Sequence, residues 1–268
     1  MNPALLPKPA PTTQAPEDDV QLSLRDHLME LRKRLKWALI WLMVGFGASY
    51  YWSQQIFHFM MQPVFAALPE GERALHFASS VEPFIIYLKV GLYSGLFVSS
   101  PFIFWQIWMF VAPGLYRRER RKIAPFVLAA TVFFIAGAAF CYLVILPPAF
   151  RFLISSAGPD IRPVLMMDQQ LGLVMMMLLA FAIIFELPMV LTLLAMMGVV
   201  DYKFLSKYRR HAIIVNVVIA AFVTPTGDPF NLALMALPMM VCYELGVLGA
   251  WIFGKKGEIA RFSGKNSS

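Results

Sequence analysis

The chain has 268 residues, of which 59% are hydrophobic and 15% charged, and its formal net charge is +7. A soluble domain usually has about 45–50% apolar and about 25% charged residues, so this composition excludes an ordinary soluble protein and favours a membrane protein. The basic residues lie in alternate loops rather than on one segment, which is typical of membrane topology and not of nucleic-acid binding.

The first segment in chain order is a polar tail. Residues 1–22 contain five prolines and an acidic run, Glu17–Asp19, but no apolar stretch of the kind found in signal peptides. We therefore expect a disordered cytoplasmic tail. Ser23 to Asp26 fits a helix-capping pattern. Leucines then recur on one helical face, which predicts an amphipathic helix along the membrane surface before the first span.

Six apolar segments follow this helix. The expected spans are residues 37–57, 84–111, 125–148, 172–198, 211–223 and 230–253. The first four approach or exceed the ~20 residues that cross a bilayer. The thirteen residues of the fifth reach only ~20 Å, and Pro238 interrupts the sixth. We expect two short final helices with local thinning of the bilayer around them, and a loop marked by Pro63 after the first span.

The distribution of Lys and Arg predicts the orientation of the chain. Nineteen of the 23 basic residues lie in the N-terminal region, in alternate loops and in the C-terminal tail, whereas three lie in the opposite loops. The positive-inside rule then places both termini in the cytoplasm, which requires an even number of spans. We therefore expect a membrane domain over residues 23–254 and a basic cytoplasmic tail over residues 255–268.

The sequence gives no indication of catalysis. It lacks the GxSxG, HExxH and phosphate-binding loop motifs, and its four histidines are scattered along the chain. Cys141 and Cys242 fall inside apolar segments without the spacing of a metal site, which favours two small buried side chains. We expect no enzymatic activity, no cofactor and no metal site.

Two glutamates are notable because basic residues surround them. Glu30 precedes the basic run 32–34, and Glu119 lies inside the basic run 117–122. One interpretation is a solvated helix face on which each glutamate pairs with a base three or four residues later, at ~0.2–0.5 kcal/mol per pair. The other is that the two carboxylates bind the planar guanidinium groups of a cationic peptide. The spacing leaves both interpretations open.

Glu186 lies near the middle of the expected fourth span, just before Pro188. A carboxylate at that depth costs about 2.5–3.5 kcal/mol on insertion scales, so we expect it to face protein or water. It is either a protonated side chain bonded to a neighbouring helix or a functional group. A proton-coupled secondary transporter that uses Glu186 as its relay is the main alternative function, although Lys89 and Glu244 are the few other ionisable residues of the spans.

Four strings of residues, in order along the chain, resemble the motifs of the TatC family of twin-arginine translocase receptors. They are His27–Arg34, Phe104–Arg120, Phe185–Pro188 and Thr224–Phe230. The resemblance covers roughly residues 22–254. Two features depart from the family pattern, since the Pro-rich tail is longer than usual and Gly227 stands where proline is common.

This resemblance implies a concave, glove-like bundle of six helices in the bacterial cytoplasmic membrane, which recognises the twin-arginine signal peptides of folded precursors. It also implies assembly with the single-span subunits TatB and TatA, self-association, and transport driven by the proton-motive force. The residues matched to family roles are contacts of the arginine pair (Glu30 and Glu119), their neighbours (Phe110 and Arg117), the intramembrane glutamate linked to partner contact (Glu186) and two outward-loop residues (Pro63 and Asp228).

Overall fold

The computed structural model describes residues 24–69, 74–111, 123–156, 164–224 and 228–254, and these residues are helical apart from short connections. The helices are α1 (Leu24–Tyr51), α2 (Ser53–Ala67), α3 (Glu82–Val111), α4 (Ile123–Phe140), α5 (Leu146–Ser155), α6 (Met167–Ile184), α7 (Leu187–Met196), α8 (Tyr202–Lys207), α9 (Arg209–Val223) and α10 (Pro229–Phe253). The two predicted tails and the capping residue Ser23 lie outside the described residues.

Within the described ranges, four helical stretches are long and apolar enough to cross a membrane. They are Glu82–Val111, Ala124–Ser155, Met167–Met196 and Pro229–Phe253, and they overlap the expected second, third, fourth and sixth spans. The 15 residues of α9 reach only ~22 Å, as expected for the fifth. In contrast, α10 extends over 25 residues with Pro238 inside it. Only one of the final helices is therefore short, because membrane helices tolerate proline where their surroundings satisfy the freed backbone groups.

The first expected span and its loop differ from the prediction. α1 runs without interruption from Leu24 to Tyr51, so the amphipathic and apolar segments form one helix. The chain turns at Trp52, and Pro63 lies buried inside α2 rather than in a loop. Proline has no N–H to donate to the Phe59 carbonyl four residues earlier. The Tyr142 hydroxyl donates to that carbonyl instead, at 2.7 Å, which compensates for the missing bond.

Close packing of glycines joins α1 to α3. A Cβ atom built on Gly95 would lie 2.5 Å from the Phe46 backbone nitrogen, and one built on Gly45 would lie 2.5 Å from the Gly95 carbonyl oxygen. Small residues let membrane helices approach until their backbones touch, and van der Waals contact then holds them together. This crossing joins the second half of α1 to the middle of α3, and from it the two helices run side by side toward the start of α1 and the end of α3.

The third expected span continues beyond the prolines that were predicted to end it. Residues Cys141–Ile145 form a π-helical turn between α4 and α5, and the Leu146 N–H donates to the Cys141 carbonyl. Pro147 and Pro148 then occupy the first positions of α5, where the missing N–H groups are tolerated. The wider turn therefore lets the helix run on to Ser155.

The centre of the molecule is α6, whose side chains form much of the buried core. Fully buried members include Leu171, Val174 and Phe181. α6 stops at Ile184, and after a break at Phe185 and Glu186 the chain resumes as α7. The break places a carboxylate where the helix ladder is interrupted.

Candidate functional site

One cluster of polar and aromatic side chains lies where α1 begins and α3 ends. We call it the inner-end cluster, after the sequence-based prediction that this end faces the cytoplasm. The Glu30 Oε1 atom lies 3.3 Å from the Arg34 Nη2 atom. Arg34 also donates from Nη1 to the Gln106 Oε1 atom at 3.4 Å. The His27 and Phe110 rings stack with their centroids 4.5 Å apart.

Local folding explains this arrangement. Glu30 and Arg34 are one helical turn apart on α1, a spacing that brings their side chains together. Gln106 and Phe110 are likewise one turn apart on α3, and the glycine crossing holds that face against α1. The cluster therefore depends on packing between two helices that are distant in sequence.

The Glu30 carboxylate retains unused bonding capacity. Its side chain is 25% exposed, and that of Arg34 is 21% exposed. Only its Oε1 atom accepts a hydrogen bond from the described residues, and that bond is at the long end of the normal range. A carboxylate can accept about four hydrogen bonds, so Glu30 can bind a further donor without first breaking its link to Arg34.

The structure brings together two of the four residues assigned to this surface. Glu30 and Phe110 lie in the same cluster, whereas Glu119 and Arg117 fall outside the described residues. Sequence reasoning did not select His27, Arg34 or Gln106 as site residues, although all three lie within the quoted motifs. The contacts that these residues make between α1 and α3 cannot be predicted from residue spacing, because they depend on how the two helices pack.

Glu186 lies at the break between α6 and α7. Its Oε1 atom is buried and has no hydrogen-bond partner among the described residues. Pro188 follows it in the first turn of α7, where the Pro188 carbonyl accepts a 2.6 Å hydrogen bond from the Thr192 hydroxyl. The expected bond from Glu186 to a neighbouring helix is therefore not seen for this oxygen.

Two ion pairs lie near the ends of the spans. Lys89 Nζ lies 2.5 Å from the Asp168 Oδ1 atom, and Arg209 Nη2 lies 2.9 Å from the Glu244 Oε2 atom. Neither described ion pair includes Glu186. The described ion pairs therefore give no support to a proton relay through Glu186.

Asp228 and Pro63 have local structural roles. Asp228 caps α10 by accepting from the Asn231 backbone N–H at 2.8 Å, and its other oxygen accepts from the Asn231 side-chain amide at 2.9 Å. The Asp-Pro sequence is a recognisable signal for such a helix start. Pro63, as shown above, lies within α2 and leaves the Phe59 carbonyl to Tyr142.

A second polar group lies at the opposite end of the molecule. We call Glu82, Lys89 and Asp168 the outer-end clasp. Glu82 accepts from the Ala78 backbone N–H at 2.7 Å and from the Asp168 backbone N–H at 3.3 Å. Asp168 in turn pairs with Lys89. Next to the clasp, His76 and Met166 form an isolated parallel bridge that ties the two outer connections together.

No group of three or more His, Cys, Asp or Glu side chains in the described residues could hold a metal ion. The two cysteines are buried and are not joined in a disulfide.

Comparison with known proteins decides the family. The sequence model of TatC, described as Sec-independent protein translocase protein (TatC), matches residues 26–238. The chain belongs to the TatC family. The family predicted from the four motifs is therefore confirmed.

Individual relatives agree over most of their length. The Sec-independent protein translocase protein TatC of Desulforapulum autotrophicum is 40% identical over 231 residues, which cover 86% of this chain and 85% of the relative. The protein of the same name from Aquifex aeolicus is 34% identical over 243 residues, with 90% of this chain and 100% of the relative covered.

The fold agrees as well. A crystal structure of the twin-arginine translocase receptor TatC gives a TM-score of 0.72 at 32% identity, with 85% of this chain and 99% of the solved chain covered. A second structure of that receptor, in DDM, gives 0.74 at 33% identity. The all-helical membrane fold is thereby confirmed. The family consists of components of a protein translocase and is not a family of catalytic enzymes.

Proposed function

We propose that this chain is the receptor subunit of a twin-arginine translocase and that its inner end binds the paired arginines of signal peptides. The main support is the Glu30 carboxylate, which Arg34 holds beside Gln106 while one of its oxygens accepts no bond from the described residues. Solved relatives carry the name twin-arginine translocase receptor. The geometry of the inner-end cluster therefore suits the receptor function that we propose.

The chemistry of the cluster favours arginine over lysine. A guanidinium group presents two parallel N–H donors that match a carboxylate, and each charge-assisted bond is roughly twice as strong as a neutral one. An ammonium group acts as a point charge and lacks this planar fork. The flat His27–Phe110 stack beside Glu30 offers a surface on which a guanidinium plane can pack.

The family resemblance supplies the remaining members of the binding surface. Glu119 and Arg117 follow α3 in sequence, and by resemblance we assign Glu119 to the second arginine and Arg117, like Phe110, to the recognition of the arginine pair. The basic residues around both glutamates also favour contact with anionic lipid headgroups. In this proposal both termini are cytoplasmic and the membrane is the bacterial inner membrane. The partners are TatB, TatA and further copies of the chain, and the proton-motive force drives transport.

The decisive experiment compares a twin-arginine signal peptide with its twin-lysine counterpart on the purified protein. Glu30→Gln should weaken binding of the twin-arginine peptide at least about tenfold, because it removes a charge-assisted hydrogen bond of about 1.5–3 kcal/mol. The twin-lysine peptide should bind weakly to both forms. Glu82→Gln, a matched change at the outer end, should leave the affinity for either peptide unchanged.

Two results would contradict the assignment. Equal affinities of the unaltered protein for the two peptides would show that it does not distinguish arginine from lysine. Unchanged affinity of Glu30→Gln for the twin-arginine peptide would move the binding site elsewhere.

Glu186 serves a later step in this proposal, namely partner contact during translocation. Its buried Oε1 atom lacks a hydrogen-bond partner in the described chain, which is unusual for a buried polar group, and the family resemblance links this glutamate to partner contact. Glu186→Gln should bind the signal peptide within about twofold of the unaltered protein yet export a folded precursor poorly. The measurements are peptide affinity and export in cells. Loss of peptide binding in this variant would place Glu186 in the receptor surface instead.

A further inference from the structure

A groove lies between α8, the start of α9 and the second half of α10. Its volume is about 620 Å³, within the range of ligand sites. Its walls combine the Arg209–Glu244 ion pair with apolar side chains such as Leu245 and Leu248. No role in the proposed receptor function accounts for this combination of one cation, one anion and an apolar wall.

The ion pair is open to exchange. The side chains of Arg209 and Glu244 are 48% and 51% exposed, so their mutual attraction is worth at most about 1 kcal/mol. The ion pair brings one guanidinium nitrogen to 2.9 Å from one carboxylate oxygen, whereas a guanidinium carries five N–H donors and a carboxylate two oxygens. Each group can therefore take a second partner of opposite charge.

The surroundings of the groove are those of a membrane interface. Leu245, Leu248 and Trp251 are 43%, 49% and 57% exposed on α10, which is long and apolar enough to cross a membrane. Tyr202 and Trp251 also line the groove, and such aromatic side chains concentrate at the level of lipid headgroups. A molecule that fits must therefore be amphipathic and must arrive through the bilayer.

We propose that this groove binds one phospholipid with a zwitterionic, primary-amine headgroup. The lipid phosphate contacts Arg209 and the Ser206 hydroxyl one turn earlier, and the lipid ammonium donates to Glu244. An acyl chain lies along Leu245 and Leu248. The charges decide between headgroups, since an anionic headgroup would leave the Glu244 carboxylate facing another negative group. A choline headgroup has no N–H to donate to that carboxylate.

The test is competitive lipid retention on the purified full chain, measured by native mass spectrometry. Phosphatidylethanolamine, phosphatidylcholine and phosphatidylglycerol with identical acyl chains are supplied in equal amounts. The unaltered protein should retain phosphatidylethanolamine at least about fivefold more than either of the others. Glu244→Gln should abolish the difference between the ethanolamine and choline lipids. Arg209→Gln should lower retention of all three.

A groove-filling change and an outer-end change serve as checks. Leu248→Trp keeps both charges but should lower retention by obstructing the acyl chain. Asp168→Asn removes a carboxylate from a similarly exposed ion pair at the outer end and should leave the retention of all three lipids unchanged. A phosphatidylethanolamine with a diazirine in its acyl chain should crosslink to the peptide containing Leu245 and Trp251.

Several outcomes would overturn the proposal. Preferential retention of phosphatidylglycerol would show an anionic-lipid site, and equal retention of all lipids would show no headgroup site. Crosslinking of that peptide to a partner subunit in place of lipid would make the groove a protein interface. Because signal-peptide affinity is measured separately, none of these results bears on the receptor assignment.

Discussion

The two ends of the molecule use their charged side chains in opposite ways. In the outer-end clasp, both oxygens of Glu82 accept backbone N–H groups, and Asp168 pairs with Lys89 of another helix. In the inner-end cluster, Glu30 uses one oxygen and pairs with a neighbour on its own helix.

This difference indicates a structural role for the carboxylates of the outer-end clasp and a binding role for Glu30. A carboxylate that bonds both its own helix start and a distant segment holds the two together, and its removal breaks that link. A carboxylate that is oriented but only partly bonded contributes little to stability and keeps capacity for a ligand. The outer end therefore fixes the connections between helices, and the inner end has the properties of a recognition surface.

The largest expected effect comes from separating the helices that build the inner-end cluster. Gly95→Val would place side-chain carbon against the Phe46 backbone, which cannot move aside as a flexible side chain can. Overpacking of this kind costs about 3 kcal/mol. We expect a lower melting temperature in detergent together with at least about tenfold weaker binding of the twin-arginine peptide.

Gly47→Val is the matched control, because a Cβ built at Gly47 meets no atom within 4 Å beyond its own stretch of helix. It should change neither stability nor affinity. Should Gly95→Val lose stability while keeping full peptide affinity, the contact between α1 and α3 would not be what forms the binding surface.

A smaller effect is expected at the outer end. Glu82→Ala removes the acceptor of the part-buried Asp168 backbone N–H and of the exposed Ala78 backbone N–H, which can bond water instead. We expect a cost of about 0.5–1.5 kcal/mol. Hydrogen exchange should accelerate at those two amides, while peptide affinity stays the same. Gln169→Ala is the control, because the exposed Gln169 side chain forms no hydrogen bond with the described residues. This change should leave exchange at the Ala78 and Asp168 amides unaltered. A fall in peptide affinity as large as that of Glu30→Gln would break the contrast between the two ends.

Sequence reasoning reached the family, the all-helical fold, four spans and the short α9, because hydropathy and motif order are local signals. It placed Glu30 and Phe110 on one surface only through resemblance, since their neighbourhood depends on the Gly45–Gly95 crossing. It also missed the Lys89–Asp168 pair, whose members are 79 residues apart.

Prolines account for the other differences. Pro63 and Pro238 were predicted to interrupt structure, yet each lies inside a helix. A proline's effect depends on whether another group bonds the carbonyl that it frees. For Pro63 that carbonyl belongs to Phe59, and its partner Tyr142 lies 83 residues further along the chain. No local pattern around Pro63 carries this information.

The smallest expected effect concerns the Tyr142 hydroxyl, which takes the place of the N–H that Pro63 lacks. Its removal tests how far the outer half of the molecule depends on hydrogen bonds between helices that are distant in sequence. Tyr142→Phe removes the hydroxyl that bonds the Phe59 carbonyl and should cost about 0.6–1 kcal/mol, the usual value within membranes. In a Pro63→Ala background, the backbone N–H that the alanine restores can bond that carbonyl within α2, so the same change should cost close to nothing. A double-mutant cycle on thermal unfolding in detergent measures this coupling. Because Tyr142→Phe keeps the ring that stacks on Phe59, equal costs in both backgrounds would mean that the hydroxyl acts through its other contact, the Gln62 Oε1 atom at 3.3 Å, and does not replace the donor that proline lacks. Peptide affinity should be unchanged in all four forms, because the bond joins α2 to the π-helical turn and does not include the inner-end cluster.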